Sequence, residues 1–88
     1  MSWSVYILRC ADASLYTGCT VNLERRLATH QRGKGAKYTR SRLPVTLVYQ
    51  ETVSDKSTAL QREAAIKRLS RAKKLELIEA FSRVTMTD

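Results

Sequence analysis

Two short runs rich in aromatic and β-branched residues, separated by a polar stretch, predict a β-hairpin at the start of the chain. The predicted strands cover residues 3–8 and 15–18. If the loop has an odd number of residues, then Tyr6 faces Gly18 and Leu8 faces Tyr16, which places both tyrosines on one face of the hairpin. A loop with an even number of residues would separate them.

The next apolar pattern has the spacing of a helix. Asn22 is a good N-cap, Leu23 and Leu27 lie one turn apart, and Gly33 follows the last periodic residue. A first helix over residues 23–30 is therefore predicted.

A basic loop and a third strand come next. Residues 33–42 combine glycines, hydroxyl side chains and basic residues without apolar periodicity, which is typical of a loop. Alternating apolar residues over 44–52 predict a strand that begins at Pro44, a position where a strand tolerates proline.

Two further helices complete the pattern. Thr58 and Gln61 have the spacing of a capping box and predict a helix that runs to about Leu69. Its candidate buried residues are Ala59, Leu60, Ala64 and Ile66. Ser70 can cap a last helix, whose apolar positions are Leu75, Ile78 and Phe81.

The predicted order of elements is ββαβαα, an α/β fold of the α+β kind. The 88 residues suffice for one domain, which we assign to residues 1–82, followed by a polar tail over 83–88. So small a domain has little room for an internal cofactor cavity, so a functional site is expected on a face of the fold.

The charge of the chain indicates an anionic partner. Sixteen Lys and Arg residues against eight Asp and Glu give a net charge of +8. No acid occurs between Glu24 and Glu51 or between Glu63 and Glu76, and these windows favour phosphate binding, with an ordinary solvated face as the alternative. The candidate substrate-binding bases are Lys34, Lys37, Arg40 and Lys67.

Other classes of protein fit the sequence less well. The apolar runs are far shorter than a membrane span, and no signal peptide is evident, so we expect a cytoplasmic protein without a membrane partner. One histidine and two cysteines are too few for a structural zinc site. Cys10 and Cys19 are out of register on the predicted hairpin and are expected to be free thiols.

Several short motifs, in order along the chain, carry a resemblance to a known family. Val5-Tyr6 and the segment 16–18 resemble the two short motifs of the GIY-YIG nuclease family. The segments 22–30 and 33–40, then Pro44 and Arg62-Glu63 with Lys67, are similar to its small stand-alone bacterial branch. The resemblance spans roughly residues 5–77.

This resemblance implies a small antiparallel three-stranded sheet flanked by helices, and hydrolysis of nucleic-acid phosphodiester bonds. It also implies a divalent metal, Mg²⁺ or Mn²⁺, held by one glutamate. The residues that match the family's site positions are Tyr6, Tyr16, Gly18, Arg26, His30 and Glu63.

Each of these residues has a possible chemical role. Tyr6 is the candidate general base, provided that Arg26 and a metal lower the cost of its phenolate. Tyr16 would orient water or phosphate, Arg26 would bind phosphate oxygens from the same helical face as His30, and Glu63 would hold the metal. Gly18 fits a place where a phosphate or a helix approaches the backbone.

Ordinary structural roles are the alternatives for the same residues. The tyrosines could form cross-strand aromatic packing, and Arg26 and His30 could simply cover a helix surface. Glu63 could form an ion pair with Lys67 at i+4.

The sequence therefore predicts a metal-dependent endonuclease, with DNA as the expected substrate. The alternative is a module that binds DNA or RNA through the same basic face without cleaving it. The family's asparagine downstream of the glutamate has no counterpart, because Asn22 is the only asparagine. A protein partner could supply targeting.

Overall fold

The chain forms an antiparallel three-stranded sheet with helices on both faces, which confirms the predicted fold class. The computed structural model describes residues 2–86. The elements are β1 (Trp3–Arg9), β2 (Leu15–Thr20), α1 (Leu23–Gln31), α2 (Lys37–Arg40), β3 (Thr46–Val53), α3 (Lys56–Lys67) and α4 (Arg71–Met86). The strand order is β2-β1-β3, so β2 is an edge strand.

The hairpin has the register expected for a loop with an odd number of residues. Tyr6 pairs with Gly18 and Leu8 with Tyr16. The loop is closed by a hydrogen bond of 2.9 Å from the Cys10 amide to the Ser14 carbonyl. Ala13 has a φ of 69°, the left-handed conformation that commonly ends a three-residue hairpin loop.

Alternate residues of β1 enter two hydrophobic clusters, one on each face of the sheet. The cluster against α3 contains the buried residues Val5, Ile7, Ala59 and Ile66. The cluster on the α1 face contains the buried residues Tyr6, Leu8, Cys10 and Val45. Tyr6 is therefore a core residue.

The helix boundaries differ from the prediction at two places. Residues 37–40 form the short helix α2 inside the predicted basic loop. Helix α3 begins at Lys56 and is capped by Asp55, whose Oδ1 accepts a hydrogen bond of 2.8 Å from the Thr58 amide. The capping box that begins at Thr58 is therefore wrong, because a stronger cap precedes it by three residues. The cap of α1 by Asn22 is confirmed.

The predicted inward face of α3 is partly wrong. Ala59 and Ile66 are buried, but Leu60 is 46% exposed and Ala64 is exposed. The half-buried side chain of Arg62 takes part of the inward face and forms two hydrogen bonds with Glu51, at 2.7 and 2.9 Å. An ion pair thus replaces an apolar contact that the pattern predicted.

Helix α4 confirms the cap at Ser70, whose Oγ accepts a hydrogen bond of 3.2 Å from the Lys73 amide. Leu75 is 44% exposed, whereas Leu77 and Ile78 pack against the cluster on the α3 face. The helix continues through residues 83–86 of the predicted polar tail, and residues 87–88 lie outside the described part of the chain.

Both cysteines are free thiols, as the register predicts. Within residues 2–86, none of the helices has the length and apolar character needed to cross a bilayer.

Candidate active site

A cavity of about 320 Å³ lies along the edge strand β2, between α1 and α3. Its lining includes five of the residues singled out from the sequence: Tyr6, Tyr16, Gly18, Arg26 and Glu63. They come from four separate elements, which the fold brings together. A second cavity of similar volume, between β3 and α4, is lined mainly by apolar side chains and contains no carboxylate.

Gly18 makes room for Tyr6 in this cavity. A Cβ atom at Gly18 would lie 2.6 Å from the Tyr6 hydroxyl oxygen and 3.2 Å from Cε2 of Tyr16. A separation of 2.6 Å is shorter than side-chain Cβ atoms allow in proteins, so a larger residue at this position would clash with Tyr6. The close approach predicted at Gly18 is therefore made by the phenol of the paired strand.

Tyr6 and His30 form a buried hydrogen-bonded pair. The Tyr6 hydroxyl oxygen lies 3.1 Å from Nε2 of His30, and the two residues are 1% and 0% exposed. Arg26, one turn before His30 on α1, lines the same cavity and lowers the pKa of the Tyr6 hydroxyl. The shared helical face of Arg26 and His30 is thus confirmed, but a surface position for His30 is excluded.

Burial controls the protonation of this pair. Desolvation raises the pKa of Tyr6 to about 12 and outweighs the lowering effect of Arg26. Desolvation, and then the positive charge of Arg26, lowers the pKa of His30 below its usual 6.5. Arg26 therefore lowers the cost of the phenolate, as expected, but burial outweighs its effect, and both side chains are neutral at pH 7.

Tyr16 packs on the histidine rather than on Tyr6. Its ring meets the His30 ring edge to face at 5.4 Å and stacks on Tyr38 at 6.1 Å. The guanidinium of Arg42 covers Tyr38 at 4.0 Å and binds Asp12 at 3.1 Å. Tyr16 therefore belongs to a packed aromatic group and also contributes to the cavity wall.

Glu63 is the carboxylate of the cavity. Its side chain is 20% exposed and lies 3.8 Å from Nζ of Lys67, so the predicted ion pair is present. The charge of Glu63, after burial, raises the pKa of the Cys19 thiol across the cavity. In the described part of the chain, no group of three or more His, Cys, Asp or Glu residues is arranged around a metal position. The donor set fits a strongly hydrated divalent ion that accepts one carboxylate, and it does not fit a site built from several protein ligands.

The predicted substrate-binding bases lie outside the cavity lining. Lys34 and Lys37 are exposed, and the side chain of Lys67 is 53% exposed. Arg40 donates a hydrogen bond of 3.2 Å from Nε to the Gly35 carbonyl, so part of its guanidinium is used within the fold.

Two residues at the site were missed by sequence reasoning. Thr39 lies 2.9 Å from Nδ1 of His30, and Gly35 closes against the same ring. Both belong to the segment 33–40 that contributes to the family resemblance. Their spacing from His30 is neither helical nor that of a strand pair, so no periodicity could indicate the contact.

Comparison with known proteins gives consistent matches over most of the chain. Residues 2–76 match the family model described as the GIY-YIG catalytic domain. A UPF0213 protein from Staphylococcus haemolyticus is 61% identical over 75 residues, which cover 85% of this chain and 92% of the relative. Another from Natronomonas pharaonis is 61% identical over 74 residues, which cover 84% of this chain and 87% of the relative.

Two solved structures resemble the fold. The solution structure of a UPF0213 protein from Bacillus halodurans has a TM-score of 0.60 at 46% identity, with 91% of this chain and 85% of that chain covered. A protein from E. faecalis, also solved in solution, has a TM-score of 0.63 at 40% identity, with 93% and 88% covered.

Proposed function

The chain belongs to the GIY-YIG family, and on that basis we propose that it is an endonuclease that hydrolyses phosphodiester bonds of nucleic acid, with DNA as its substrate. The observation that carries the proposal is the convergence on one cavity of a tyrosine, an arginine and a glutamate, with a buried neutral histidine behind the tyrosine.

Tyr6 activates the attacking water through His30. As the water oxygen bonds to phosphorus, the bond between phosphorus and the leaving oxygen breaks. One water proton passes to the Tyr6 hydroxyl, and the tyrosine's own proton passes to Nε2 of His30. The leaving oxygen takes a proton from solvent water, and His30 later returns its proton to solvent through Tyr6. A free phenolate at pH 7 would cost about 7 kcal/mol for a pKa of about 12. Transfer to the histidine avoids that intermediate, and the 3.1 Å separation is within proton-transfer distance.

Arg26 stabilises the charge that develops on the phosphate. Arg26 lines the same cavity as Tyr6 and lowers the pKa of the Tyr6 hydroxyl, so we assign it to the place where the attacking oxygen and the phosphate meet. Charge-assisted hydrogen bonds from arginine to phosphate oxygens are among the strong ones, and they strengthen as the negative charge grows. Tyr16, on the same wall, orients the water or the phosphate.

Glu63 is the residue that would hold a divalent cation, Mg²⁺ or Mn²⁺. One carboxylate is sufficient when water and substrate phosphate complete the coordination. When bound, the cation neutralises charge on the leaving oxygen. Lys67, 3.8 Å from Glu63, is available to a neighbouring phosphate.

The exposed bases Lys34 and Lys37, with Arg40, are assigned to the nucleic-acid backbone. They follow α1, the helix that supplies Arg26 to the cavity. Contacts of this kind position a duplex and carry no sequence information.

A second function, binding without cleavage, is favoured by one observation. Asn22 is the only asparagine, and its side chain accepts the Arg25 amide at 3.0 Å as the cap of α1. It therefore does not replace the asparagine that the family carries downstream of its glutamate.

Cleavage of a labelled substrate panel tests the proposal. The purified chain is incubated with single-stranded, duplex and branched DNA, and with RNA of the same sequences, in Mg²⁺, Mn²⁺ or EDTA. We expect DNA cleavage with metal and none with EDTA. Saturable binding with no cleavage of any substrate would contradict the endonuclease and leave the binding module.

A further inference from the structure

His30 is held from both sides, and the second contact lies outside the cavity. Nδ1 of His30 is 2.9 Å from the hydroxyl oxygen of Thr39, on the short helix α2. We propose that Thr39 is a positioning residue that fixes neutral His30 as the tautomer with its proton on Nδ1, so that Nε2 is the acceptor facing Tyr6. The effect of Thr39 on the cleavage rate rests on the proposed function. The assignment of the tautomer does not.

The direction of the Thr39 hydrogen bond follows from its other partner. The Thr39 hydroxyl donates to the carbonyl oxygen of Ala36 at 3.0 Å. A hydroxyl has a single hydrogen to donate and lone pairs to accept. With that hydrogen directed to Ala36, the Thr39 oxygen is an acceptor toward His30, and Nδ1 carries the proton.

The contact at the other end of the ring fits the same tautomer. Neutral His30 with its proton on Nδ1 carries a lone pair on Nε2. The hydrogen of the Tyr6 hydroxyl is then directed to Nε2 at 3.1 Å, where a lone pair is required. Within residues 2–86 every buried side-chain polar atom has a hydrogen-bond partner, and the proposed tautomer gives one to each ring nitrogen of His30.

Gly35 prevents other groups from replacing Thr39. A Cβ atom at Gly35 would collide with Nδ1 and lie 2.8 Å from Cγ of His30, so the backbone closes directly over this edge of the ring. Thr39 and His30 are both 0% exposed. Thr39 is thus the side chain that satisfies Nδ1.

The tautomer decides whether the proton relay can operate. With the proton on Nε2, the histidine would present a donor to Tyr6 and could not accept the tyrosine's proton. Removing the Thr39 hydroxyl leaves a buried Nδ1–H without an acceptor, and the ring then gains by moving its proton to Nε2.

Because His30 is the only histidine, the ¹⁵N signals of its two ring nitrogens can be read without assignment of others. We compare the wild type with Thr39→Val, which keeps the shape, and with Thr39→Ser, which keeps the hydroxyl. Thr46→Val, on the exposed start of β3, is the matched control. The wild type, Thr39→Ser and Thr46→Val should show protonated Nδ1 and unprotonated Nε2 at pH 7.5. Thr39→Val should show protonation of Nε2.

Single-turnover cleavage gives the second readout. Thr39→Val should be ~10- to 100-fold slower at saturating substrate, while Thr39→Ser stays near the wild-type rate. A wild-type spectrum with the proton on Nε2 overturns the inference, and this measurement does not depend on any variant folding. Unchanged spectrum and rate in a folded Thr39→Val protein also overturn it. If the wild type cleaves nothing, the proposed function fails while the spectra still decide the tautomer.

Discussion

The Tyr6 hydroxyl and Nε2 of His30 meet at 3.1 Å, although the two residues are 24 positions apart and neither is exposed. The contact joins a central strand to the helix that follows the hairpin. His30, the proposed acceptor of the Tyr6 proton, is therefore part of the core. Changes to this pair should alter both the stability of the protein and the pH dependence of its activity, which can be measured.

Replacing Tyr6 with Phe keeps the ring and removes the hydroxyl. We expect a ~10²- to 10⁴-fold loss of single-turnover rate, because the water loses its base. Nε2 of His30 is left buried without a donor, which should lower the free energy of unfolding by about 1–3 kcal/mol. Cleavage assays and urea denaturation measure the two effects.

Tyr49→Phe is the matched control for this change. Tyr49 lies on β3 and donates to Glu51 at 2.7 Å, away from the cavity lining. It should leave the rate unchanged, and Tyr16→Phe should cost less than Tyr6→Phe. A Tyr6→Phe protein with most of the wild-type rate would assign the tyrosine to packing alone.

The stability of the protein should depend on the protonation of His30. The pKa of His30 is lowered on folding, so between that value and 6.5 the unfolded chain binds more protons than the folded one. The free energy of unfolding should therefore rise with pH up to about 6.5 and then level off. The slope cannot exceed about 1.4 kcal/mol per pH unit for one proton.

Urea midpoints from pH 5 to 8 measure this dependence. The range avoids Asp12, Glu51 and Asp55, whose pKa values are lowered by their hydrogen bonds and whose stabilising effect is lost only at more acid pH. His30→Gln should flatten the curve above pH 5. An equal slope in that variant would assign the dependence to another group.

The pH dependence of the rate distinguishes the relay from a free phenolate. A relay needs neutral His30, so the rate at saturating substrate should fall as pH decreases through the lowered pKa of His30, below 6.5. From pH 7 to 9 it should be flat. A phenolate base with a pKa of about 12 would instead give a tenfold rise per pH unit across that range, and that result would contradict the role of His30.

Glu63→Gln should abolish metal-dependent cleavage and leave the fold and nucleic-acid binding nearly intact. The amide has the same size but lacks the charge that holds a hard cation. Glu76→Gln is the control, because Glu76 is an exposed carboxylate on α4 that also lies near a lysine. Cleavage in Mg²⁺ and Mn²⁺, with binding measured in EDTA, separates the two functions. Equal rates for Glu63→Gln and the wild type would remove this carboxylate from the reaction.

Binding should weaken steeply with salt. With about five phosphates neutralised, log K should fall against log salt with a slope of ~−4.5 on duplex DNA. Removing Lys34 and Lys37 together should flatten the slope by ~1.8. Arg40 is left unchanged in this variant because it donates a hydrogen bond to the Gly35 carbonyl. Its removal could alter the fold as well as nucleic-acid binding. An unchanged slope in the Lys34 and Lys37 variant would place the contacts elsewhere.

Local patterns predicted the hairpin and left two registers open, which differ only in whether the loop is odd or even. The odd loop fixes the register, and the register alone brings Tyr6 opposite Gly18. The i, i+4 spacing likewise brings Arg26 and His30 to one face of α1. These relationships depend only on the period of a strand or helix.

What could not be predicted depends on tertiary burial. The raised pKa of Tyr6 and the lowered pKa of His30 arise from desolvation, which no spacing records. Helix α2 has only four residues, too few for an apolar period, yet it supplies Thr39. Leu60 was misplaced because Arg62, bound to Glu51, takes part of the inward face of α3.

The membership of Tyr6 in the hydrophobic cluster on the α1 face limits how this protein can vary. The Tyr6 side chain fills part of the core and also supplies the reactive hydroxyl. A substitution at this position therefore affects both the stability of the fold and the proposed reaction. The exposed residues near the site do not have to satisfy both core packing and the reaction. Changes in substrate preference among related chains should therefore accumulate at exposed positions such as Val21 and Lys34, while the paired strands behind them stay the same.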